Sequence, residues 1–170
     1  VDKDGFLDIV IGNWIGNNQL LMNDGSGNFS NLIDLPGGSQ LTVVIAASDV
    51  NGDGMQDIIV GNWLQGNQLL MNDGNGNFND SITLPGGNKF TKSMVTTDVD
   101  NDGVAHLIIG NTQSNQLLLN DGNGSFAEAI DFGSAGFITE SIVAADVNGD
   151  GFDDIIVGND SQNNQLFMNQ

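Results

Sequence analysis

Cysteine, tyrosine and arginine are missing from this sequence, and its single histidine, His106, is accompanied by only three lysines, Lys3, Lys89 and Lys92. Without cysteine, no disulfide informs on the compartment. Three lysines cannot form the clustered basic surface that phosphate backbones need, so nucleic acid is excluded as a partner, and anionic membrane surfaces with it. The longest apolar runs, such as Val43–Ala47, are far too short for a helix to cross a bilayer, so no membrane insertion is expected. No signal-peptide pattern is visible, and the chain does not begin with methionine. The shortage of Tyr, Cys, Arg and His removes most general bases, nucleophiles and charge-stabilising groups, so the residues argue against an enzyme. Paired carboxylates can cleave glycosides, but most carboxylates here are committed to loops and turns.

Aspartate is what the chain has instead. Its net charge is −19 although only 15% of its residues are charged, and of 22 acidic residues only Glu128 and Glu140 are glutamate. Disordered acidic tails are usually glutamate-rich and poor in apolar residues. Here 39% of residues are hydrophobic, and the aspartates recur at fixed intervals.

The organising stretch is Asp49-Val50-Asn51-Gly52-Asp53-Gly54-Met55-Gln56-Asp57. It places side-chain oxygens at positions one, three, five and nine, and a glycine at position six allows a sharp turn. The pattern returns from Asp98, and again from Asp146 to Asp154, and it opens the chain, one residue short, at Val1. Carboxylates this close repel one another. A hard divalent cation relieves that repulsion, and several flexible oxygens suit Ca²⁺ better than Mg²⁺. An EF-hand is ruled out, because position twelve is Val60, Ile109 or Val157 where a bidentate glutamate is required. The ninth residue takes over, as Asp8, Asp57 or Asp154, and the seventh, Phe6, Met55, Val104 or Phe152, can offer a backbone carbonyl.

The loop glycines Gly5, Gly54, Gly103 and Gly151 recur about every 49 residues. Each unit reads as an apolar run into the loop, a β-branched run out of it, a third run such as Gln68–Asn72, an Asp-Gly turn such as Asp73–Asn77, and a fourth run beginning at Phe29, Phe78 or Phe126. Short runs bounded by Asn, Asp and Gly are strands. Four strands in a unit of this size match a propeller blade; the alternative is a β-solenoid, whose coils are usually shorter. The expected fold is therefore all-β: about 3.5 four-stranded antiparallel blades, in repeats at roughly residues 1–40, 41–89, 90–136 and 137–170. Because both ends fall inside a repeat, the chain is expected to be a segment of a six- to eight-bladed propeller, within a longer chain or a larger assembly. Alternating strand directions place the aspartate loops and Asp-Gly turns on one face. Trp14 and Trp63, at equivalent positions, lie on the other, where they can stack on a sugar ring or cap the packing between blades.

The repeat Asp-Val-Asn-Gly-Asp-Gly-x-x-Asp-Ile-Ile-Val-Gly-Asn, followed by Asn-Gln-Leu-Leu-x-Asn-Asp-Gly-Asn-Gly-Asn-Phe, resembles FG-GAP/VCBS repeats, which form the β-propellers of integrin α-subunit heads, certain fungal lectins and many secreted bacterial proteins. The Phe-Gly and Gly-Ala-Pro elements that name the family are distant here, as Phe132-Gly133 and Leu35-Pro36-Gly37. The resemblance implies calcium in the loops between the first and second strands of each blade. Carried over by position, the ligands are Asp49, Asn51, Asp53 and Asp57; Asp98, Asp100 and Asp102; Asp146, Asn148, Asp150 and Asp154; and Asp2, Asp4 and Asp8 in the shortened first loop. The seventh-position carbonyls of Phe6, Met55, Val104 and Phe152 complete the sets. His106 replaces the ninth aspartate of the third loop, and imidazole is a poor calcium ligand, so that site is expected to be weaker or empty.

Three functions follow as expectations. The first is a calcium-stabilised propeller, extracellular or at the cell surface, acting as an adhesion or interaction scaffold for a protein or glycan. The second is a lectin using the face opposite the calcium loops, and the third, weakest, is a polysaccharide-active enzyme.

Overall fold

The computed structural model describes residues 1–170 as fourteen β-strands without a helix. The strands fall into four consecutive groups. The first is β1 (Ile9–Ile11), β2 (Gln19–Met22) and β3 (Asn31–Asp34). The second is β4 (Thr42–Ser48), β5 (Asp57–Gln65), β6 (Gln68–Leu70) and β7 (Ile82–Thr83). The third is β8 (Lys89–Thr97), β9 (His106–Asn111), β10 (Asn115–Leu118) and β11 (Ile130–Phe132). The fourth is β12 (Thr139–Ala145), β13 (Asp154–Asn159) and β14 (Gln165–Phe167). Within each group, chain neighbours pair antiparallel.

These groups are propeller blades. The strand that opens one blade lies beside those that open its neighbours, β8 packing against both β4 and β12. The cores lie between blades, because alternate residues of a strand face opposite ways. In β5, Ile58 and Val60 join Leu20 and Leu35 of the first blade, while Ile59 joins Met94, Leu107 and Ile109 of the third. Ile108, Ile142, Ile155 and Val157 close the next interface. With both faces covered, the second strands of the two middle blades carry buried apolar stretches, Ile58, Ile59 and Val60 in one and Leu107, Ile108 and Ile109 in the other. Gly61 marks the closest approach: a Cβ built there would stand 2.4 Å from Val44 Cγ1 and 3.0 Å from Thr91 Cγ2.

Two details differ from the sequence reading. The second strand of the second blade does not stop where its β-branched run ends but continues through Asn62–Gln65, because its far end pairs with β8, Trp63 opposite Phe90 and Gln65 opposite Lys89. Leu64 takes a left-handed φ of 56° where that register shifts. The fourth strands start later than Phe29, Phe78 and Phe126, at Asn31, Ile82 and Ile130. Phe78 and Phe126 instead turn inward onto the interblade cores.

The aspartate loops and the Asp-Gly turns share one face. Glycines of the turns, Gly25, Gly74 and Gly122, lie beneath the seventh-position side chains Phe6, Met55 and Val104.

Candidate metal centre

Each aspartate loop is folded by its own side chains. In the second loop, Asp49 accepts the Gly52 and Gly54 amides at 2.8 and 2.7 Å, Asn51 accepts Asp53 N at 3.0 Å, and Asp53 accepts Met55 N at 2.7 Å. The fourth loop repeats this, with Asp146 on Gly149 and Gly151, Asn148 on Asp150, and Asp150 on Phe152. In the third, Asp98 accepts from Asp102 and Gly103, and Asp102 from Val104. In the first, Asp2 accepts from Asp4, and Asp4 from Phe6. In the second and fourth loops the residues at one, three and five thus hold the backbone in a tight coil with their carboxyl and amide groups at its mouth.

That coil needs two left-handed residues. One is the glycine at position six, at φ 93°, 82°, 89° and 92° in the four loops. The other is position four, where Lys3, Gly52, Asn101 and Gly149 stand at φ 62°, 73°, 62° and 80°. The sequence reading singled out only the sixth. The signal for the fourth was available: two loops have glycine there and one has asparagine, the residue that best tolerates this region after glycine.

Position nine lies at the base of the coil. Asp57 and Asp154 are fully buried. Asp57 accepts Asn72 N at 2.8 Å and Val50 N at 3.1 Å, and Asp154 accepts Asn169 N and Val147 N at the same two distances. Asp8 likewise accepts Asn23 N at 2.9 Å and the Val1 amine at 2.5 Å. The ninth carboxylate therefore ties the loop to the third strand of its own blade. Burial pushes the Asp57 carboxyl up from the usual aspartate range against the pull of its two amide partners, and the charges of Asp53 and Asp49 push the same way. Asp146 is held below that range, chiefly by the Gly151 amide.

The donor chemistry fits a hard cation. Carboxylate and amide oxygens predominate, and a buried carboxylate in the field of two others is the imbalance a divalent ion offsets. In the third loop, Asp98, Asp100, Asp102 and His106 bring one donor atom each to within 4.8 Å of one another. His106, 1% exposed, occupies the ninth position. Its Nδ1 lies 3.1 Å from Asn120 N and its Nε2 3.1 Å from Asp100 Oδ1.

On the other face, Trp14 and Trp63 meet across the first blade interface with ring centroids 6.1 Å apart. Phe90 of the third blade stands edge-on to Trp63 at 4.7 Å, and Lys92 Nζ lies 5.4 Å from that ring centre. Trp63 is thus packed between blades and half-buried, while Trp14 remains 50% exposed. Phe90 was not among the sequence candidates, since its place in the ladder depends on the β5–β8 pairing.

The comparisons with known proteins agree with this architecture. A family model described as FG-GAP-like repeat matches three overlapping stretches, residues 1–60, 49–109 and 98–157. Among solved structures, the chain is similar to an Agrocybe aegerita lectin, described as specifically recognising non-reducing terminal N-acetylglucosamine, with 23% identity and a TM-score of 0.63 over 91% of this chain. It is also similar to BBS1N, in a complex with ARL6DN, with 15% identity and a TM-score of 0.53 over 84% of this chain. The chain spans 43% and 46% of those two proteins. No curated protein matched it. The β-propeller fold is shared with both structures, and by its repeats the chain belongs to the FG-GAP-like repeat family.

Proposed function

We propose that this propeller is a calcium-stabilised interaction scaffold working outside the cell or at its surface, and not an enzyme. The carrying observation is the second loop, where the buried Asp57 carboxylate lies in the field of Asp49 and Asp53. Calcium held by Asp49, Asn51, Asp53 and Asp57, by their counterparts Asp146, Asn148, Asp150 and Asp154, and by Asp2, Asp4 and Asp8 would neutralise these loops. It would fasten the first strand to the second in the second and fourth blades. Weak oxygen-ligand sites fill where calcium is about millimolar, which supports an extracellular setting. The lone histidine is held by two hydrogen bonds, which leaves little general-base chemistry.

The face away from the loops is the surface proposed to meet a partner. BBS1N, a neighbour in fold, is seen in a protein complex, which supports a protein partner. A second reading, a lectin, is favoured by the exposed Trp14 ring backed by Trp63. The sugar recognition described for the Agrocybe aegerita lectin lends it support.

Thermal unfolding with millimolar calcium and with a chelator tests the proposal. A large fall in Tm on chelation supports structural calcium, and an unchanged Tm refutes it. Glycan-array binding that disappears in Trp14→Ala decides for the lectin; silence across a broad array favours a protein partner.

A further inference from the structure

We infer that the third aspartate loop is closed by His106 acting as a hydrogen-bond donor, and that it takes no metal ion, so one blade of this propeller is metal-independent. The inference relies on the calcium reading only for what it says of the other loops.

The argument begins with the ninth position. Wherever that residue is aspartate, it accepts two N–H groups, one from the end of the third strand and one from the second residue of its own loop or, for Asp8, the Val1 amine. His106 keeps the first of these bonds, through Nδ1, which faces Asn120 N at 3.1 Å. A backbone N–H can only donate, so Nδ1 must carry a lone pair. The ring proton therefore resides on Nε2, and the bond to Asp100 Oδ1 at 3.1 Å runs from imidazole to carboxylate.

That assignment denies the ring to a metal. A histidine ligand binds through a lone pair on one nitrogen and usually donates an N–H from the other. Here the nitrogen facing the carboxylates bears the proton, and the far nitrogen is an acceptor. Metal on Nε2 would require either an imidazolate or the loss of the Asn120 bond at a site only 1% exposed. The close approach of Asp98, Asp100, Asp102 and His106 resembles a metal pocket, but the Nε2–H stands where the ion's charge would act. Where the second and fourth loops have Asn51 and Asn148 at position three and aspartate at position nine, the third has Asp100 and His106. Asp100 thus stands where the imidazole can hold it.

His106 is the sole histidine, so its ring signals in a long-range ¹H–¹⁵N spectrum need no assignment. The expected spectrum is that of the Nε2–H tautomer, unchanged when Ca²⁺ or Zn²⁺ is added to the full chain. An Nδ1–H tautomer, or ring signals that shift as either ion is added, would overturn the inference. Native mass spectrometry supplies a second arm. Asp100→Asn with His106→Asp restores the pattern of the second loop and should carry one more Ca²⁺ than the wild type. Equal, non-zero counts would overturn the inference. If neither protein binds calcium, the calcium reading of the other loops fails, and the ring spectrum still decides the third.

Discussion

The Asn120 side chain donates a 2.7 Å hydrogen bond to the carbonyl of Val50, a residue 70 positions earlier and one blade away. Asn72 does the same to Val1 O at 2.8 Å, and Asn169 to Val99 O at 2.6 Å. Each asparagine lies two residues beyond the third strand of its blade and reaches the second residue of the preceding blade's aspartate loop. Asn72 and Asn120 also donate to their own loops, at Gln56 O and Ala105 O. One amide thus couples successive loops, and a loop ordered by metal would brace its neighbour.

Asn120→Ala removes both bonds and leaves the Val50 and Ala105 carbonyls without this partner at a site 6% exposed. An unsatisfied buried acceptor costs roughly 1–3 kcal/mol. In a chain of this size, each kcal/mol lowers Tm by about 2–4 °C. Calorimetry should therefore record a fall of several degrees. A Tm within a degree of wild type would show that the blades hold together without this bond.

The asparagine staples were not legible in the sequence, whereas the blades were. Regular spacing of Gly5, Gly54, Gly103 and Gly151, with apolar runs between, fixes strand number and order through local patterning alone. Asn72 and Asn120 look like ordinary residues closing a run, and their partners lie about 70 positions away, beyond any local period. The same limit applies to Phe90, which joins Trp63 only through pairing between blades. His106 could be seen as an exception to the ninth position, but its role depends on which nitrogen meets Asn120, and that is set by the third dimension.

Equivalent glycines should respond differently to one substitution. A methyl at Gly61 meets Val44 Cγ1 at 2.4 Å and Met94 Cε at 3.1 Å, from two different blades. Neither strand can yield without opening a core, so Gly61→Ala should cost about 1–3 kcal/mol. At Gly158 the nearest atoms, both of Ser141, are 3.7 Å away. That is ordinary contact, and Gly158→Ala should leave denaturant stability unchanged or raise it by about 0.4–1 kcal/mol through the unfolded chain. Equal losses at both positions would contradict this account of blade packing.

Acid should unfold the metal-free protein. Asp24, Asp73 and Asp121 cap the Asp-Gly turns, and amide and asparagine donors lower their carboxyls from 3.8. A lowered carboxyl stabilises the fold above its unfolded value, and that contribution disappears as pH falls through the folded one. Asp57, raised by burial, works in the opposite sense: its contribution is complete below 3.8 and is lost as pH rises through its folded value. Asp100, Asp131 and Asp146 are also lowered, so the lowered groups dominate. Tm measured in chelator should decline as pH falls below 3.8, and Asp73→Asn should make the decline shallower. A Tm that rises on acidification would mean that repulsion within the loops outweighs the turn caps.

The two tryptophans separate stability from recognition. Trp63 packs between Trp14 and Phe90 with Lys92 over its ring, so Trp63→Ala removes contacts with the first and third blades at once. Burial and aromatic pairing together make that loss about 2–4 kcal/mol. Trp14 is half-exposed and touches the ladder at its end, so Trp14→Ala should cost under about 1 kcal/mol. Chemical denaturation of the two variants measures the difference. If they are equally destabilised, Trp14 is a packing residue like Trp63. If Trp14→Ala folds as well as wild type, its exposed ring is free to serve recognition, and loss of partner binding in that variant cannot be blamed on unfolding.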